Sequence, residues 1–583
     1  MAGILIGGLY LSHAWIFGDY VADDAGISLA YARNLIAGFG PVLYPGGEAV
    51  EGYSNPLWTA LLALGAAVRL DGADGVPLLK GLGLALGAAT ILLTAAASRI
   101  AYPADTRVPW LAPALLASLT PFVFWTASGM ENALYACLML LAVLLQLREL
   151  QDPMRRQWSV LALAGVALTR PEGVAFFAAF LTHRIVSGAR GRRLAGWIGM
   201  FVGIYSAFLA VRVIVFGDWL PNTYYAKVAL MDRHLSELPR YLATPDDAGR
   251  IYLVEFAKNA WPVLLVAAAG LADRRAWRTN LLMTGIVAGT ALYVVYVGGD
   301  FWPAGRFFTA VLPLGALAAQ HAVNVFGPRR AAAASACAAV LVGIVLNRSL
   351  GLSGDLRVRH DGDTLISLQG RLAHGRRVLA MTSALGIQDP LVLDPDIGGP
   401  TLAGLRVLDL GGLTDIHIAR FRYYPAFLRS YVFEERRPHI IRTHSSWTRT
   451  SRVTAFPEFH EQYEAIRSRR DARGLHGEFI RRDLLVRHRP TAGGAVPRAA
   501  SFRQAVADRR ARRAREAERE RANWIELYVE QRMHDKLRRA FREHEAAATL
   551  PSDPSRLGTL YRGLMAAGDA AGAERVRRGT AGH

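Results

Sequence analysis

LAGWIGMFVGIYSAFLAVRVIVF, residues 194–216, runs for 23 residues with one charge, Arg212. A helix of that length rises about 35 Å, enough to cross the ~30 Å hydrocarbon core of a bilayer. The basic stretch GARGRR, residues 188–193, precedes it, and short basic loops stay on the cytoplasmic side. This one segment therefore predicts a membrane-spanning chain and the direction in which it is threaded.

Working outward, further apolar runs occupy 56–70, 76–98, 109–124, 128–147, 158–169, 173–186, 260–272, 279–297, 307–326 and 331–350. Several fall short of the ~20 residues a spanning helix needs, which predicts broken, tilted or re-entrant segments. The opening MAGILIGGLYLSHAWIFG has neither a basic leader region nor a small-residue cleavage site, so it reads as a short retained span. Basic loops near 150, 190, 275 and 328 are expected inside, and the loops between them outside. Parity then requires one net crossing over 56–98, giving about eleven transmembrane helices.

Composition agrees. Of 583 residues 52% are hydrophobic, with a mean hydropathy of +0.20, too apolar for a soluble protein carrying this much charge. The net charge of +19 does not indicate nucleic acid, because the basic residues sit in short inter-span loops and a C-terminal tail; membrane lipids are the expected partner. Cys137 and Cys337 both lie in apolar Ala/Leu-rich runs, excluding a disulfide framework or a cysteine metal site.

After Leu350 the pattern changes. Short runs such as RRVLAMTS, LVLDPD, LRVLDLGGL and HIIRTHSS, punctuated by Gly, Pro and Asp, predict a soluble domain of mixed α/β or β-rich character outside the membrane. The expected organisation is a transmembrane domain over 1–352, an extracytoplasmic domain over 353–488, and a linker with a basic, charged helical extension over 489–583. That extension reads as a solvated helix packed on the domain, or else as a contact for anionic lipid or wall polymer.

Polar residues that a membrane protein gathers at one end of its bundle are functional candidates by default. Asp23 and Asp24 head ISLAYARNL, whose Ile27, Tyr31 and Leu35 share one helical face, suited to lying along the outer membrane surface. Helix capping explains one carboxylate readily and two less so; an adjacent pair can also supply a general base for a sugar hydroxyl. Glu51, Tyr53 and Asn55 in EGYSNPLW offer a hydrogen-bonding and stacking surface for a sugar, or an interfacial belt and turn. Arg170, Lys227 and Arg306 resemble a cationic cradle for a phosphate, with Arg170–Glu172 and Arg306–Asp300 pairs as the plainer alternative. Glu131, Glu172, Asn222 and Asp300 fall on the same side and are candidates for holding sugar or acceptor. A phosphate-binding glycine loop is missing from the sequence, so a nucleotide-sugar donor is not indicated. An Asp pair alone is a weak metal signature, which leaves a divalent cation open and no other cofactor indicated.

Taken in order, DDAGISLAYARNLIAGFG, EGYSNPLW, SGMENALY, LTRPEG, LPNTYYAK and GGDFWPAGRF resemble the motif series of the bacterial GT-C arabinofuranosyltransferase family, which includes the mycobacterial terminal β-(1→2)-arabinofuranosyltransferase; homologues elsewhere are often labelled flagellar motor control protein. The resemblance covers about 1–325 and continues more weakly through DIGGPTLAGLRVLDLGGLTD. It implies a GT-C-type multi-span helical bundle with an external, carbohydrate-binding-like C-terminal domain. It also implies an inverting transfer from a polyprenyl-phosphate sugar, decaprenylphosphoryl arabinofuranose, to a cell-envelope polysaccharide. The base then falls on the Asp pair, Asp23 ahead of Asp24, with Arg170, Lys227 and Arg306 stabilising the leaving phosphate. A scaffold or polysaccharide-binding protein of the same fold is the alternative, and a lipid-linked sugar flippase a third reading.

Overall fold

The computed structural model describes residues 2–152, 154–227, 233–361, 365–471 and 474–486, with 541, 560–562, 564–565 and 569–580. The chain forms two units, Met1–Val496 and Pro497–His583. In the second, a helix at Ala570–Thr580 buries Ala573 and Val576, and Phe541, Leu560 and Leu564 are buried as well. The charged stretch expected to form a long helix after Thr491 lies almost wholly outside the described residues.

The helices of the first unit are α1 (Ala2–Trp15), α2 (Asp23–Ile36), α3 (Pro56–Ala67), α4 (Val76–Ala101), α5 (Leu111–Ser118), α6 (Thr120–Ala127), α7 (Asn132–Gln151), α8 (Ser159–Thr169), α9 (Phe176–Val186), α10 (Gly191–Phe216), α11 (Asn222–Lys227), α12 (Leu238–Ala243), α13 (Ala248–Leu271), α14 (Trp277–Tyr296), α15 (Leu312–Phe326) and α16 (Ala331–Asp361). Among the described residues, six segments are long and apolar enough to cross a membrane: α4, α7, α10, α13, Arg274–Tyr296 and Ala331–His360. The protein is a multi-pass membrane protein, mostly helical, with a small sheet in its C-terminal region. α3 and α8 are apolar but shorter. Small residues set the closest approaches: a Cβ on Gly270 of α13 would run into the backbone of Ala318 on α15. Close van der Waals contact of this kind replaces the hydrophobic drive that lipid does not provide.

The C-terminal region opens with α17 (Leu368–Ala384), followed by β1 (Leu391–Asp394), α18 (Gly398–Leu402), β2 (Arg406–Asp409), α19 (Ile416–Phe421), α20 (Pro425–Ser430), β3 (Ile440–Thr443), β4 (Tyr463–Asp471) and β5 (Gly474–Arg481). The sheet order is β2-β1-β3-β5-β4. β1 pairs in parallel with β2 (Val392 opposite Val407) and with β3 (Val392 opposite Ile440), and β5 pairs antiparallel with β3 and β4. Every residue of β1 is buried, as expected of a parallel strand covered on both faces. Leu391 and Leu393 enter one apolar cluster and Val392 the other, the alternation a strand imposes.

That second cluster contains Ile27, Ala30 and Tyr31. α2 forms as expected from its spacing, but its apolar face lies against the sheet rather than against lipid, and Leu35 at its far end is 49% exposed. The sheet offers a larger complementary apolar surface than a single helix face can find in the interface, and a sequence pattern does not say which of the two covers it.

Candidate functional site

The acidic segment is clamped before its helix begins. Ala22 N–H donates to the Ser128 carbonyl at 2.9 Å and Leu368 N–H to the Val21 carbonyl at 2.8 Å, so the start of α2 is tied to the bundle on one side and to α17 on the other. Asp23 and Asp24 then diverge, as consecutive helical residues point about 100° apart. Asp23 is 2% exposed, and its two carboxylate oxygens accept the Gly399 N–H at 2.7 Å and the Gly398 N–H at 3.1 Å. Burial, aided by the charge of Asp396, pushes its carboxyl up to about 8 while the two N–H donors pull it back.

Asp24 faces a different set. Its Oδ2 accepts the Trp302 indole N–H at 3.3 Å and lies 4.0 Å from the Arg306 guanidinium, and its side chain keeps 24% of its surface open. Burial raises its carboxyl above the usual range, opposed by Lys227 and then Arg306. Lys227 is exposed at the end of α11, and the charge of Asp24 supports its ammonium form. The turn after α14 brings Asp300, Trp302 and Arg306 together: Gly298 and Gly299 adopt φ of +78° and +75°, and Ala304 and Gly305 return the chain at +57° and +62°. Left-handed backbone is natural for the glycines, whereas at Ala304 it costs roughly 1 kcal/mol.

The other two cations carry carboxylate partners. Arg306 lies 2.7 Å from Asp300. Arg170, 6% exposed, contacts Glu131 and Glu172 at 2.5 Å each and stands over the Phe307 ring at 4.9 Å. Glu131 also accepts from Asn55 at 2.8 Å, and Asn55 accepts from Ser28 at 3.0 Å. Ser28 is four residues after Asp24, on the same face of α2. A continuous polar chain, Glu172–Arg170–Glu131–Asn55–Ser28, thus runs from the turn after α8 to the helix that presents Asp24. Both plainer pairings named from the sequence exist, and Lys227 is the cation of the three with no carboxylate ion pair among the described residues.

Glu51, Tyr53 and Asn222 belong to a neighbouring cluster. Glu51 takes two hydrogen bonds from Arg212, at 2.7 and 3.1 Å, and its carbonyl accepts Asn222 N–H at 3.1 Å. The Asn222 amide donates to the Gly412 and Leu413 carbonyls at 2.9 and 3.0 Å, and Tyr53 sits edge-on to Tyr31 at 4.9 Å. These contacts join α10 and α11 to α2 and to the loop after β2.

Several participants carried no readable signal in the sequence. Gly398 and Gly399 lie within a quoted motif, but their partner is 375 and 376 positions away in the chain. Asp394, Asp396 and His444 gather at the carboxyl ends of β1 and β3 with the spacing of metal ligands. Ligands commonly bind at such a switch point of a parallel sheet. Here Arg442 contacts Asp394 at 2.7 Å and Asp396 at 3.3 Å, and Arg371 and His444 contact Asp396 at 3.0 and 2.9 Å. Burial would raise Asp396, yet His444, Arg442 and Arg371 hold it well below the carboxylate range. Both carboxylates already have cationic partners, a donor set that does not suit a divalent ion.

No protein-family model matches the sequence, and no curated protein matches it. Among solved structures, the chain is similar to ArnT from Cupriavidus metallidurans bound to undecaprenyl phosphate, at 13% identity and a TM-score of 0.49, covering 82% of this chain and 97% of that one. The apo state of the same protein gives 13% and 0.49, with 84% and 99% covered. The archaeal oligosaccharyltransferase AglB from Archaeoglobus fulgidus, in complex with an inhibitory peptide and a dolichol-phosphate, gives 11% and 0.45, with 74% and 68% covered.

Proposed function

We propose that this protein is a GT-C-type, polyprenyl-phosphate-dependent glycosyltransferase of the bacterial cytoplasmic membrane, related to the arabinofuranosyltransferase AftB. In this reading it transfers arabinofuranose from decaprenylphosphoryl arabinofuranose to a cell-envelope polysaccharide, with its site and sheet region on the outer side. The observation that carries the proposal is the setting of Asp24: a partly open carboxylate flanked by Trp302, Arg306 and Lys227, at the point where the dispersed sequence motifs meet.

The geometry favours Asp24 over Asp23 as the base, since both oxygens of Asp23 are occupied by α18. Asp24 takes the proton from an acceptor hydroxyl as that oxygen forms its bond to the anomeric carbon. The bond from anomeric carbon to phosphate oxygen breaks, and its electron pair leaves with the polyprenyl phosphate. Attack opposite the leaving group inverts the centre. Lys227 is placed to meet the phosphate charge directly, with Arg306 beside it; Arg170, held by two carboxylates, supports the site through Glu131 and Asn55. Electrostatic groups fixed in advance where charge develops are the largest common contribution to such steps.

The test is transfer from labelled decaprenylphosphoryl arabinofuranose to a short arabinan, with the intact protein beside Asp24→Asn. Asn keeps an oxygen for Trp302 but is not a base, so turnover is expected to fall ~10²–10⁴-fold with donor binding retained. Unchanged turnover in Asp24→Asn would remove the mechanism. Silence of the folded intact protein with every polyprenyl-phosphate sugar would favour the scaffold.

A further inference from the structure

The bundle has a second polar end. α7 begins beside Glu131 and α14 ends four residues before Asp300; each has 20 residues, hence ~30 Å of rise, about one hydrocarbon thickness. Gln151 and Trp277, at their other ends, therefore lie on the opposite side of the bundle from Asp24.

There the C-terminal ends of α4 and α15 and the turn from α13 to α14 surround a cavity of about 930 Å³, lined by Arg107, Arg275, Arg278 and Arg329. That is ample for a lipid headgroup, since small-ligand clefts span roughly 300–1,000 Å³. Its two carboxylates are committed elsewhere: His321 sits between Asp105 at 3.1 Å and Asp273 at 3.0 Å, with the Tyr102 ring stacked on it at 3.9 Å. Tyr102 is anchored in turn by its hydroxyl, which donates to Asn280 at 2.7 Å. The floor is thus rigid and internally paired. Among the described residues the guanidinium groups of Arg275, Arg278 and Arg329 form no ion pair with a carboxylate, and that of Arg107 donates to the Pro328 carbonyl at 2.6 Å. Four arginines line the cavity against two carboxylates that share one imidazole, which leaves it net positive, a setting that suits phosphate oxygens.

We propose that this cavity binds the phosphate of an anionic phospholipid from the leaflet opposite the Asp24 site. A lipid rather than a free phosphate is the occupant because the rim is built from the ends of membrane-spanning helices. Trp277, 47% exposed with Arg278 above its ring at 5.4 Å, stands where an interfacial tryptophan meets the headgroup level. A phosphate on these arginines leaves its acyl chains in hydrocarbon. General attraction of basic loops to anionic lipid would be spread over all such loops; the proposal places it in one cavity with a fixed floor.

The test uses the full chain in detergent, scored by native mass spectrometry for bound phosphatidylglycerol, with phosphatidylcholine and millimolar inorganic phosphate as separate arms. R275Q/R278Q/R329Q is compared with R156Q/R190Q/R192Q, which removes equal charge from other loops at the same end. The cavity variant is expected to lose phosphatidylglycerol occupancy at least tenfold, and the control less than twofold. Equal loss in both variants, or equal retention of phosphatidylcholine by the intact protein, overturns the proposal. Displacement of the lipid by inorganic phosphate overturns the choice of a lipid occupant. Should the triple variant not fold, Arg329→Gln alone is expected to cost about threefold, and no loss there counts against the cavity.

Discussion

Replacing Gly398 with alanine tests whether the sheet region holds the acidic helix in place. The added Cβ would be driven into the Asp23 carbonyl, 3.0 Å from its carbon and closer still to its oxygen, and 3.0 Å from Asp23 Oδ1. These are mostly backbone atoms, so neither side can rotate away. α18 has two responses. It can accept the overlap, at the ~1–3 kcal/mol typical of overpacking. Or it can withdraw, losing the two N–H bonds to the Asp23 carboxyl, each about 0.5–1.5 kcal/mol for a group that burial keeps largely neutral. Either response costs about 1–3 kcal/mol. For a unit of 496 residues, unfolding entropy near 2 cal/mol/K per residue gives ~1 kcal/mol/K, so the melting midpoint falls by about 1–3 °C. Transfer should fall too, because Asp24 rides on the displaced helix. Gly315→Ala in α15, where nothing lies within 4 Å of the new methyl, serves as the control and should be neutral to slightly stabilising. A Gly398→Ala protein with the parent's midpoint and turnover would refute the reasoning.

Two further outcomes follow from the site. Since burial raises Asp24 and a general base acts only when ionised, kcat/KM should climb with pH through a limb lying above the usual carboxylate value of about 4; Lys227→Met, which removes the opposing cation, should move that limb to higher pH, and a limb at or below 4 in the intact protein contradicts the assignment. Glu131→Gln leaves a donor facing Arg170 or Asn55 in a buried position; with Glu172 still paired to Arg170, the loss is expected near 3 kcal/mol, the lower end for breaking a buried pair, read as thermal midpoint, and Arg170→Met, which leaves both Glu131 and Glu172 without their cation, should cost more.

The sequence by itself determined the class of environment and the elements. An apolar run such as 194–216 has one way to satisfy its backbone in lipid, as a helix, and α10 forms over it. The short apolar runs in LVLDPD, LRVLDLGGL and HIIRTHSS became β1, β2 and β3 for a similarly local reason, whereas RRVLAMTS, read with them, lies in α17. The turns of the candidate site were legible because charge at the end of an apolar run is costly and so conspicuous: Arg170, Arg306 and Asp24 stood out for that reason. Only the tertiary structure decided which charges are spent on one another. Arg170 has two carboxylates, from either side of it in the chain, and Arg306 has Asp300, while Asp24 keeps open surface beside Lys227. It also separated two adjacent aspartates, turning Asp23 into the anchor of α18 through glycines 375 and 376 positions away. Pairing energies depend on distance in space, which the order of residues does not contain, and the apolar face of α2 could say that it would be covered but not that a sheet would cover it.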